Sequence, residues 1–178
     1  MEDLSRRDVM KLGAAATVAT ALGVGESLAS QPATPAFFTT EEFAMLDELS
    51  EMIVPADDHS PGARGAKVAA YIDARLAEAF EEKDKVIWRE GLAHIERLSR
   101  DMSGKSFAQS SAAERLATLT RIARNERAPK EPEELFFVEL KRRVVDAYYS
   151  SEIGIKQELE YKGNTYLAEF VGVDVSAE

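Results

Sequence analysis

No cysteine occurs anywhere in the chain. Its absence excludes disulfides, thiolate metal sites, iron–sulfur clusters, c-type haem attachment and cysteine nucleophiles. Histidine is almost as scarce, with two residues, His59 and His94. Positive charge is the rarer sign. Against 32 Asp and Glu stand 22 Lys and Arg, for a net charge of −10 and a pI near 4.8. With no basic stripe interleaved with aromatics, a general nucleic-acid role is excluded. No G-K-[ST] follows Gly62 or Gly65, so there is no phosphate loop, and no dinucleotide fingerprint appears. Period-two alternation long enough for a strand is missing, and so is any repeat of 20–50 residues. Long hydrophobic runs are missing too. The uncharged stretch Leu12–Gly25 would span roughly 21 Å as a helix, short of the ~30 Å hydrocarbon core of a bilayer. What remains is ordinary: 178 residues, 45% of them apolar, enough for one domain with a core of its own.

That uncharged stretch belongs to an address. "SRRDVMKLG" places Arg6 and Arg7 ahead of it, and "ESLAS" follows with Ser27 and Ala29 at the −3 and −1 positions of a cleavage site. Paired arginines before a weakly hydrophobic segment resemble a twin-arginine (Tat) export signal. Such signals carry proteins that are already folded, as the resemblance implies. The leader holds three basic and four acidic residues. Subtracting them from 22 and 32 leaves 19 and 28, a mature net charge of −9. The expected organisation is a signal over 1–29, a spacer over 30–37, a domain over 38–174 and a tail over 175–178.

The domain reads as helices. Thr39 with Glu42 fits a capping box, and Phe38 with Phe43 the hydrophobic staple around it. Phe43, Leu46, Leu49 and Ile53 then repeat at helical spacing until Pro55 stops the run. Val68, Ile72, Leu76 and Phe80 form a second stripe. Trp88, Leu92, Ile95, Leu98 and Met102 form a third, ended by Gly104. Ser111 and Glu114 open a fourth helix, with Leu116, Leu119, Ile122 and Ala123. After Pro129 and Pro132 comes a fifth, carrying Phe137, Leu140, Val144 and Tyr148. The expectation is all-α: a single bundle-like domain of about five helices with an irregular C-terminal arm.

The most chemical stretch is "IVPADDHSPGARGA". Asp57, Asp58 and His59 are candidates for metal ligation or acid–base work, with His94 as a distant fourth group. Against that, Asp and Ser satisfy turn amides, and Pro61-Gly62 is a turn signal. The loop therefore reads either as a structural or interface element or as a metal or catalytic site. Trp88, Phe136 and Phe137 read as core rather than as a cofactor stack. Lys141, Arg142 and Arg143 read as a solvated face or as a dock for an acidic patch. Tyr148 to Lys156 offers Ser150, Ser151 and Lys156 for a Ser–Lys dyad. A docking arm fits its amphipathic tyrosines better.

Several blocks together, "FTTEEFAMLDELSEMIVPADDHSPGARGAKVAAYIDARLA", "GKSF" and "AYYSSEIGIKQELEYKGN", resemble the gluconate 2-dehydrogenase subunit 3 family over about Phe37 to Gly172. The resemblance implies a small, non-catalytic, Tat-signalled subunit with no cofactor of its own. It implies as partner an FAD-dependent large subunit of the glucose-methanol-choline (GMC) type that oxidises a sugar or sugar acid. It further implies a multihaem cytochrome c as a third subunit, passage through the Tat translocase, and a periplasmic site at the inner membrane reached through partners. The small subunit is then an aid to folding and export of the flavoprotein. On this reading the partner interface is Tyr148, Tyr149, Glu152, Ile153, Lys156, Tyr161 and Asn164, and the export signal is Arg6 and Arg7. Relatives often end in a Cys- and His-containing stretch where this chain has "FVGVDV", so any role tied to that cysteine is lost. Two other classes stand beside this one: a self-sufficient exported enzyme or metal-binding protein using the Asp57/Asp58/His59 loop, and a free-standing periplasmic scaffold.

Overall fold

The computed structural model describes residues 34–163, and their regular structure is entirely helical. Six α-helices follow in order: α1 (Thr40–Ile53), α2 (Gly62–Gly65), α3 (Val68–Ala77), α4 (Glu82–Ser103), α5 (Ala112–Ala123) and α6 (Pro132–Tyr149). A π-helical turn, Gly154–Glu158, comes after them. The expected five helices are α1, α3, α4, α5 and α6. The extra one, α2, is a single turn inside the stretch that reads as a loop.

Local chemistry sets the helix starts. Thr39 N–H donates to Glu42 Oε2 at 2.9 Å while Glu42 N–H donates to Thr39 Oγ1 at 3.2 Å. Ser111 and Glu114 make the same reciprocal pair at 2.7 and 3.3 Å. Each box satisfies two amides that the helix leaves without partners. At the head of α6, Pro132 stands where no amide hydrogen is needed. There the fully buried Glu134 carboxylate accepts from Lys130 and Glu131 N–H, Arg121 and Asn125.

Helix α6 is the axis of the domain and packs on α1, α3, α4 and α5. Its inward face is Phe136, Phe137, Leu140, Val144, Ala147 and Tyr148, all buried. Leu46, Leu49, Ile72, Ile95 and Ile122 close around it. Each fully buried aliphatic side chain stabilises the fold by roughly 1.5–3 kcal/mol. Trp88 sits at the centre, edge-on to Phe136 at 5.4 Å and tilted against Phe38 at 6.3 Å. Trp88, Phe136 and Phe137 are thus core residues.

Three stripe positions turn outward. Phe80 is 99% exposed, because α3 ends at Ala77 and its register stops with it. Met102 lies in the last turn of α4, where the helix overruns the core, and is half exposed. Leu116 lies roughly 110° round the helix from the middle of the buried face. Thr118, Leu119 and Ile122 take that face instead.

Candidate functional site

The loop after α1 is held by its own main chain. Ala63 N–H closes it onto Val54 O at 2.8 Å. Inside, Asp57 Oδ1 accepts from His59 N–H and Ser60 N–H, both at 2.8 Å, while Asp57 N–H donates to Ser60 O. Those two amides, His59 first, hold the Asp57 carboxyl below its usual range. Glu51 of α1 spans the loop, its Oε1 accepting Ala56 N–H at 3.0 Å and its Oε2 accepting Arg64 N–H at 2.8 Å. Arg64 returns to α1 through Asp47 at 2.6 Å and Glu48 at 3.0 Å. Arg115 of α5 joins the same Glu48 at 3.0 Å. Gly62 adopts φ of 69°, and a Cβ there would meet Ala56 N at 2.5 Å and Pro55 C at 2.9 Å. Only glycine satisfies both the angle and the space.

This geometry bears on the metal reading. Asp57 serves the loop's amides, and the Asp58 and His59 residues are exposed. His94 lies on α4 and lines a different groove, with Ile87, Gly91, Leu135 and Phe136. Among the described residues no three His, Cys, Asp or Glu side chains converge to hold an ion.

The loop meets the C-terminal arm through two hydroxyls. Ser60 Oγ and Tyr148 Oη form a short hydrogen bond across 88 residues of sequence, with both groups buried. Tyr148 departs here from the expected interface: it is fully buried, at the end of the α6 core face, and has no surface to offer. Its neighbour Tyr149 packs edge-on at 5.2 Å and is 39% exposed. Beyond, Ser151 Oγ donates to Tyr148 O at 2.6 Å and accepts Gly154 N–H at 3.0 Å. Lys156 pairs with Glu152 at 2.7 Å and draws the Glu152 carboxyl below its usual range. The Ser–Lys dyad is therefore not assembled, since each member is engaged with another group.

The arm is ordered where it is described. Gly154 is buried, and a Cβ on it would collide with Tyr148 O, so the chain crosses the end of α6 in direct backbone contact. Leu159 N–H reaches back to Gly154 O at 2.9 Å, the i to i−5 bond of a π turn, and Tyr161 N–H to Ile155 O at 3.0 Å. Ile153 packs on the core. Glu152 and Lys156 are exposed, and Leu159 and Tyr161 turn more than half of their surface outward. Tyr149, Leu159 and Tyr161 are thus apolar bodies on an arm anchored by Tyr148, Ile153 and Gly154. Asn164, Arg6 and Arg7 lie outside the described residues.

The basic cluster is neutralised within the domain. Lys141 pairs with Glu126 at 2.8 Å, Arg142 with Glu139 at 2.8 Å and Asp146 at 3.4 Å, and Arg143 with Glu139 at 3.3 Å.

One group escaped the sequence reading. Asp73, 4% exposed on α3, accepts three consecutive main-chain N–H groups, from Ala36 at 2.6 Å, Phe37 at 3.0 Å and Phe38 at 2.9 Å. Ala36 and Phe37, which the sequence reading places in the spacer, are thereby joined to the domain. Its signal was present: a carboxylate between Ile72 and Leu76 on an apolar stripe has to find donors.

Comparison with known proteins agrees with both halves of the chain. The family model described as gluconate 2-dehydrogenase subunit 3 matches residues 40–165, spanning loop and arm. The model described as the TAT (twin-arginine translocation) pathway signal sequence matches residues 3–23. No curated protein and no solved structure matches significantly.

Proposed function

We propose a function from one premise: the chain belongs to the gluconate 2-dehydrogenase subunit 3 family. That family consists of non-catalytic accessory subunits, and the twin-arginine signal addresses this member for export to the periplasm. The chain works as the small subunit of a periplasmic FAD-dependent sugar or sugar-acid dehydrogenase. Its larger partner, of GMC type, holds the flavin and removes the hydride. A multihaem cytochrome c takes the electrons and ties the assembly to the inner membrane. The small subunit stabilises the folded flavoprotein and carries it through the Tat translocase.

The observation that carries this reading is the family match over 126 of 178 residues, which takes in loop and arm together. The arm supports it further. Aromatic and aliphatic groups at Tyr149, Leu159 and Tyr161 face outward from a rigid base. Buried aromatic anchors dominate association energies. Docking through Tyr149, Glu152, Ile153, Lys156, Tyr161 and Asn164 thus covers the surface that Tyr149 and Tyr161 turn to water.

Affinity purification of the native mature protein tests the proposal. A yellow flavoprotein should co-purify and oxidise an aldose or aldonate with an artificial acceptor, while the separated small chain is colourless and inactive. Tyr149→Ala and Tyr161→Ala should each weaken the complex by roughly 1–3 kcal/mol with helical content retained. A chain that purifies free of any flavoprotein, or that itself carries a flavin or haem spectrum, refutes the proposal.

A further inference from the structure

The strap Ala36–Phe38 joins the export leader's end of the chain to the folded domain, and its bonding goes beyond what a spacer requires. All three of its amides converge on the single buried carboxylate of Asp73. Arg89 of α4 donates to Phe37 O at 3.0 Å and lays its guanidinium over the Phe37 ring at 4.6 Å. Phe38 is buried beside Trp88. Both holding groups belong to helices distant in sequence, α3 and α4, and neither belongs to α1, the helix that follows the strap.

This arrangement has a mechanical consequence. A chain drawn by its N-terminal end unravels from that end unless something holds it. Without the strap, the first structure to yield would be the Thr39–Glu42 box, then α1 turn by turn, taking Leu46 and Leu49 out of the core. With the strap, the pull passes first to Asp73 and Arg89. Hydrogen bonds to an ionised acceptor are roughly twice as strong as neutral ones. A pull from the N-terminal end meets the Ala36 amide on Asp73 Oδ2 first and then the Phe37 and Phe38 amides on Oδ1, so three such bonds stand before the Thr39–Glu42 box. The leader matched over residues 3–23 is of the kind that moves folded cargo, and the strap begins at residue 36. We propose that Asp73 and Arg89 form a mechanical anchor that keeps this domain folded while it is drawn by its leader. The proposal rests on the export signal and not on the identity of the dehydrogenase partner.

The test pulls the full chain from either end. Wild type, Asp73→Asn and Arg89→Ala are given a degradation tag at the N- or the C-terminus and exposed to a processive ATP-driven unfoldase and its protease. From the N-terminus the variants should be degraded about tenfold faster than wild type or more, the factor that losing one charge-assisted hydrogen bond brings. From the C-terminus their rates should stay within about twofold of wild type, since the strap is not first in line there. Equal acceleration from both ends, or none from the N-terminus, overturns the anchor. If Asp73→Asn fails to fold, the exposed Arg89→Ala decides the matter alone by the same comparison. In cells, Arg89→Ala with an intact leader should reach the periplasm in lower yield at equal expression. Undiminished yield overturns the export role even where the anchor itself is measured.

Discussion

At Gly91, α4 lies directly against the Phe136 ring of α6, and replacing the glycine by alanine puts the packing account at risk. A Cβ added to Gly91 would lie within 2.5 Å of three ring atoms of Phe136. Carbon pairs prefer about 3.5–4.0 Å, so the ring or the helix has to move by an ångström or more. The ring has little room. It is 4% exposed and meets Trp88 edge-on at 5.4 Å, and Trp88 is itself buried. Overpacking of this kind costs about 1–3 kcal/mol, and a collision with a confined ring belongs at the upper end. Alanine is the better helix former by roughly 0.8–1.0 kcal/mol, which offsets part of that. The net expectation for Gly91→Ala is a loss of about 2 kcal/mol, read as a lower urea midpoint at unchanged slope by circular dichroism. Phe136→Leu destabilises by itself by opening space. In the double variant the new methyl fills some of that space, so the two changes should couple favourably by about 1 kcal/mol or more in a double-mutant cycle. The sign is decisive. If Gly91→Ala leaves the protein as stable as before, or more stable, helix propensity has won and the close approach of α4 to α6 is not as described.

Three further outcomes are expected. Glu134 titrates at about 2 in the folded protein instead of 4.5, held down first by Lys130 N–H and then by Arg121. Its folded pKa lies below the unfolded one, so its contribution is complete above about 4.5 and is lost as pH falls from there toward 2. Urea midpoints measured through that window should fall less steeply for Glu134→Gln, and an unchanged slope would count against the bonding at the head of α6. Gly154→Ala should free the arm without unfolding the bundle, because the added methyl collides with Tyr148 O; limited proteolysis should then cut between residues 149 and 163 while helical content persists, and unaltered cleavage would contradict the close crossing. Arg6→Lys combined with Arg7→Lys should leave the partner's flavin-dependent activity in the cytoplasm, folded but mislocalised; full activity in the periplasmic fraction would mean that the subunit acts only after export.

Five of the six helices were legible in the sequence, as were the starts at Thr39 and Ser111 and the stops at Pro55 and Gly104, because those signals are local. Thr39 with Glu42 and Ser111 with Glu114 are contacts over three residues, and the stripe of α6 is a period that any isolated segment displays. The leader was legible for the same reason, since an export signal is read as a linear pattern. The loop's alternatives were only half legible: the turn chemistry of Asp57, Ser60 and Gly62 is local, but its seating under Glu51 and Arg64 is not. Tyr148 shows where local reading stops. On a helical wheel it is a good core residue and in the arm a good interface residue, and only the fold, by bringing Ser60 against its hydroxyl, decided for the core. The same holds for Lys141, whose partner Glu126 lies before α6, whereas Glu139 and Asp146 stand three and four residues from Arg142 and Arg143 on the same helix and were within reach of a local reading. Phe80, Met102 and Leu116 fit their apolar periods and still face water, because a period says which side of a helix is apolar and not where the core ends. Asp73 depended most on tertiary structure. A carboxylate on a buried stripe announces a need for donors, but three amides from a strap more than thirty residues upstream reach it only after α1, α3 and α4 have packed.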